Sequence, residues 1–160
     1  GSNMSIRKSV FSATGNFREW LGPGAYDLAG GEDGDLIHRI LLHNFVLAYD
    51  PNIITYHNRW LTKEENRLLQ RKYTAGEVAY MLFYFLQGEW KMGLTLMRTI
   101  RERLLDQGLK EQIKNLFRLN SKFHIRVVQE TIYSLWELIS IVEGLIIGGY
   151  QWGKNSLSSR

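Results

Sequence analysis

The chain has 160 residues, 44% of them hydrophobic and 12% aromatic, which is enough for one compact domain with a core of its own and too apolar for a disordered segment. It contains no cysteine, so disulfides, thiolate metal sites and a cysteine nucleophile are excluded and any metal must be held by oxygen or imidazole. The net charge of +4 is uneven: residues 1–60 carry 5 basic and 6 acidic side chains, 61–126 carry 13 and 7, and 127–160 carry 2 and 3. The surplus in the middle suits a solvated helical face, or an anionic partner such as a membrane surface or a phosphate-bearing substrate. Nucleic acid is not expected, because no reader motif accompanies the charge.

The opening residues do not read as a charged leader followed by an apolar core, so no signal peptide is expected. Residues 3–6 alternate in a way that suits a strand, residues 9–14 suit a short helix or turn, and "TGNFREWLGPGAYDLAGG" reads as a long glycine-rich loop. Leu36, Ile37, Ile40 and Leu41 then share one face of a helix expected over residues 32–43, opened by Glu32, Asp33 and Asp35. "FVLAY" and "IITYH" form two extended runs around the turn "DPN".

From Trp60 onward helical spacing dominates. Residues 62–73 begin with a threonine cap and two glutamates in the first turn, and further helices are expected over 76–87, 91–107, 110–119 and 122–148. The stretch 131–150 approaches the length of a bilayer span, but Glu130, Glu137 and Glu143 interrupt the region. Three placements stay open for it: buried against neighbouring helices, lying on a membrane surface, or spanning.

Few side chains are arranged for chemistry. Taken alone, Glu32 and Asp33 at a helix start read more often as capping or dipole compensation than as chemistry; the sharper alternative is a carboxylate waiting to take a proton from a hydroxyl nucleophile. The approach through glycines leaves room for a ligand, and His57 stands at the end of the second extended run. "HNRW" adds Arg59, a guanidinium suited to phosphate oxygens, and Trp60, suited to packing or to a sugar face. His38, His43 and His124 read as surface or packing residues.

The order of "GSNMSIRK", "GNFREWLGPG", "GGEDGDLIHRIL", "AYDPNIITYH" and "HNRW" over residues 1–86 resembles the second half of the catalytic domain of family-2 glycosyltransferases, nucleotide-sugar-dependent enzymes of the GT-A fold. The resemblance implies an α/β, α-rich architecture: a partial GT-A domain with few strands over residues 1–60, its acceptor side, followed by a helical tail over 61–160 that suits either association with a membrane or simple cover for the incomplete sheet. It implies an inverting transfer of sugar from a nucleotide-diphosphate donor to a glycan or lipid-linked acceptor, in surface glycan or polysaccharide synthesis at the cytoplasmic side of the cell membrane. Asp33 falls on the family's general base and Glu32 on the residue beside it that helps hold the acceptor. Asn3 and Arg7 fall on a segment lining the sugar and acceptor side, Arg59 near the diphosphate, and His57 on a histidine that binds a divalent metal, manganese or magnesium. Asp35 and Arg39 fall on the following helix as a structural ion pair. The family's nucleotide-binding half and its Asp-x-Asp motif have no counterpart here, so the chain reads as a fragment that lacks the donor site. The competing reading is a non-enzymatic helical module that binds a membrane surface or a protein.

Overall fold

The computed structural model of the protein describes residues 3–23, 26, 28–56, 58–104 and 123–158. Five helices appear among them: α1 (Lys8–Thr14), α2 (Glu32–Leu42), α3 (Lys63–Leu86), α4 (Trp90–Leu104) and α5 (Phe123–Ser158). The helix expected over 110–119 lies outside the described residues.

The expected α/β architecture is overturned: among the described residues there is no strand and no sheet, so a partial GT-A domain is not what this chain forms. The sequences that suggested strands form no ladder among the described residues. Residues 3–6 carry no regular structure beyond a turn at Asn3, and 45–49 and 53–56 are exposed and irregular on either side of the turn at Asp50, Pro51 and Asn52. β-branched and aromatic residues favour strands only where a neighbouring strand takes up the backbone hydrogen bonds. Here one long-range tie joins these segments, from Nδ2 of Asn3 to the carbonyl oxygen of Ile53 at 3.1 Å.

α3 organises the rest. Thr62 caps it: its hydroxyl accepts from the Glu65 N–H at 3.2 Å, while Glu65 Oε2 accepts from the Thr62 N–H at 2.8 Å, satisfying two of the donors that a helix start leaves over. The two helices expected over 62–73 and 76–87 are one continuous helix. Gly76 lies inside it because the backbone of Gly30 passes so close that a Cβ at 76 would sit 2.0 Å from the Gly30 carbonyl oxygen.

On another side α3 receives α5 at close range. A Cβ at Gly144 would come within 2.5 Å of the Ala75 carbonyl oxygen, and one at Gly148 within 2.4 Å of that of Ala79. Small residues on both helices thus permit backbone contact. Ion pairs from Arg71 to Glu143 and from Arg103 to Glu77, the latter at 3.2 Å, tie α3 to α5 and α4.

The apolar interior falls into three clusters. Val78, Met81, Leu96 and Ile141 join α3, α4 and α5. Ala75 and Ala79 meet Leu21 and Leu28 of the glycine-rich loop, with Trp20, Tyr80 and Ile147 against them. Val10, Leu36 and Ile40 hold α1 to α2. Of the placements open for the apolar stretch near the C-terminus, α5 is packed against its neighbours through Ile141, Gly144 and Gly148. Among the described residues no helix is long and apolar enough to cross a membrane.

Candidate functional site

The acidic start of α2 is built by glycine geometry. Gly31, the residue before the helix, has φ +97°, a left-handed conformation that favours glycine, and a Cβ there would lie 2.6 Å from the Gly76 carbonyl oxygen. The glycines at 30 and 31 are therefore explained by close packing on α3, a tighter role than the open ligand approach their sequence suggests. Glu32 and Asp33 follow directly, both half-buried. Glu32 lies under the turn at Gly22, whose φ is +85° and whose Cβ position is 3.1 Å from the Glu32 carboxyl carbon. Its Oε2 is buried and accepts no hydrogen bond among the described residues.

Asp35, one turn into α2, is fully buried and holds the helix in place. Its Oδ1 accepts from Nε of Arg18 at 2.9 Å and from the Tyr84 hydroxyl at 2.8 Å, and its Oδ2 accepts from Nε and NH2 of Arg39 at 3.0 and 2.7 Å. Four donors meet the four acceptor sites of an ionised carboxylate. Arg39 also donates to the carbonyl oxygens of Thr14 and Gly15, so it closes the C-terminus of α1 as well. The Arg18 guanidinium lies over the Phe83 ring, 4.7 Å from its centroid. The ion pair expected between Asp35 and Arg39 is thus present within a larger network that Arg18 and Tyr84 complete.

The network sets the protonation of its neighbours. Burial works against the charge of Arg18, but Asp35 and the Tyr84 hydroxyl outweigh it and raise the pKa. The Tyr84 phenol is pushed up to about 12, by burial first and by the Asp35 charge second. His38 packs edge-on against the Tyr84 ring at 4.4 Å, and burial lowers its pKa and favours the neutral imidazole.

The sequence-selected residues are only partly gathered. Glu32 and Asp33 stand together at the start of α2, and a separation of two residues on a helix sets Asp33 on nearly the opposite side from Asp35. Asn3 and Arg7 instead line a cleft of about 720 Å³ that runs along residues 45–50 and does not include Glu32 or Asp33. Arg59 and Trp60 are exposed in the segment leading to α3. His57 lies outside the described residues, and among those described no three histidine, aspartate or glutamate side chains come together to hold a cation.

Arg18 and Tyr84 were missed as partners of α2. The available signals were a charged residue between aromatics in "NFREW" and a hydroxyl-bearing ring inside "MLFYFL", since a buried phenol requires a hydrogen-bond partner.

No protein-family model, no curated protein and no solved structure matches this chain.

Proposed function

We propose that this chain carries the acceptor side of an inverting, nucleotide-sugar-dependent glycosyltransferase. The observation that carries the reading is the buried, undonated Oε2 of Glu32 beside Asp33 at the start of a helix fixed from within by Asp35. The reading starts from the motif order along residues 1–86 and rests on the start of α2 rather than on the sheet that the resemblance implied. In this reading Glu32 helps hold the acceptor beside Asp33. Asp33 takes the proton of the attacking hydroxyl as its oxygen bonds to the anomeric carbon and the bond from that carbon to the nucleoside diphosphate breaks. The configuration inverts, and a good leaving group lets a carboxylate serve as base.

One observation favours a second reading, a non-enzymatic helical interaction module. Val46, Tyr49, Ile53, Ile54, Tyr56 and Trp60 are all exposed within fifteen residues of sequence, 46–60, where a globular surface usually shows apolar side chains singly.

A kinetic split separates the two. The protein is offered a panel of nucleoside-diphosphate sugars with a mixture of glycan acceptors, and release of nucleoside diphosphate is followed for the native protein and for Glu32→Gln. The transferase reading expects release by the native protein, and a rise in acceptor KM larger than the fall in kcat for the variant. Release from none of the donors would favour the interaction module.

A further inference from the structure

The geometry points to the outer face of α4 as a docking surface for an anionic lipid bilayer. Trp90, Leu94 and Met97 are exposed at 63%, 51% and 61%. Together with Arg101 they fall within about 60° of one another on a helix that turns about 100° per residue. The inner face of the same helix is already used: Leu96 is buried in the cluster with Val78 and Ile141, Gly93 lies against the Phe85 ring, and Arg103 donates to Glu77. The apolar ridge is therefore surplus to the packing of the bundle.

Charge decides what the ridge fits. Lys91, Arg98 and Arg101 are exposed beside it, and the one acid of α4, Glu102, lies off the ridge and one turn beyond Arg98. A second copy of α4 would set cations against cations. A neutral apolar partner would leave those cations without counter-charges. An apolar ridge with a tryptophan at one end and lysine and arginine along its flank matches a helix lying in the plane of a membrane interface. Its side chains enter the acyl boundary there and its cations meet anionic headgroups. The inference stands apart from the transfer chemistry, and its test uses no sugar donor.

The full chain is floated with vesicles of phosphatidylcholine alone and of phosphatidylcholine with phosphatidylglycerol, at low and at physiological salt. Binding is expected to the mixed vesicles, weakened by salt. Replacing Lys91, Arg98 and Arg101 together by glutamine is expected to weaken it on the order of 100-fold. Leu94→Glu is expected to remove it, and because these side chains are exposed, both variants should melt with the native protein. No binding to the mixed vesicles, or binding unchanged in both variants, overturns the proposal. So does a concentration-dependent dimer that Leu94→Glu abolishes, since that would seat a second copy on the ridge.

Discussion

Arg18 reaches Asp35 from the glycine-rich loop, its Nε donating to Oδ1 at 2.9 Å, and with Arg39 on the other oxygen it makes one buried carboxylate the junction of α1, α2, α3 and the loop. Removing one partner of such a buried set leaves the remaining charges uncompensated. Asp35→Asn is therefore expected to lower unfolding free energy by about 3 to 5 kcal/mol, read from urea unfolding of the chain. A loss under about 1 kcal/mol, the scale of an exposed ion pair, would show that Asp35 does not hold the helices together.

Tyr84 contributes in a way that pH exposes. Its hydroxyl donates to Asp35 and lies 3.4 Å from NH2 of Arg18, so Tyr84→Phe should cost about 1 to 3 kcal/mol at neutral pH. The phenol has a pKa of about 12 in the folded chain and 10.0 as its reference. Between those values the unfolded chain has released the proton while the folded chain keeps it, so stability falls as pH rises through that window. The loss attributable to Tyr84 is roughly 2 to 3 kcal/mol at 1.36 kcal/mol per unit. Unfolding measured from pH 9 to 12 should show a steeper decline in the native protein than in Tyr84→Phe, and parallel curves would contradict this.

The glycines of α5 separate packing from propensity. A Cβ at Gly148 would press on the Ala79 backbone at 2.4 Å, whereas one at Gly149 meets nothing within 4 Å. Gly148→Ala is expected to destabilise by about 1 to 3 kcal/mol through overpacking. Gly149→Ala is expected to stabilise by up to about 1 kcal/mol, the helix preference of alanine over glycine. Thermal melts of the two variants that move in the same direction would refute the close approach of α3 and α5.

How far the sequence carried depended on the range of each interaction. α2 was legible because its determinants are local: three acids in its first turn, Leu36 and Ile40 four apart, and Asp35 four residues before Arg39. Arg18 and Tyr84 lie 17 and 49 residues from Asp35, and no periodicity reports such a contact. The boundary expected between residues 73 and 76 is absent because α3 runs through it, and the approach of Gly30 makes a glycine necessary at 76 although it costs about 1 kcal/mol in a helix interior. The runs 45–49 and 53–56 have strand composition, but pairing is a property of two segments, and among the described residues neither run finds a backbone partner strand. At the candidate site, Glu32 and Asp33 share a helix start as their adjacency required. The placement of Asn3 and Arg7 in a different cleft is set by how the chain folds back, which spacing does not encode.

The central claim is a division of labour between two aspartates two residues apart, Asp33 for proton transfer and Asp35 for architecture. The most direct test measures turnover of nucleoside-diphosphate sugars and unfolding together for the native protein, Asp33→Asn and Asp35→Asn. The account predicts that Asp33→Asn melts within about 1 kcal/mol of the native protein while turnover falls on the order of 10² to 10⁴-fold. It predicts that Asp35→Asn loses stability first. Equal turnover of Asp33→Asn and the native protein would contradict it.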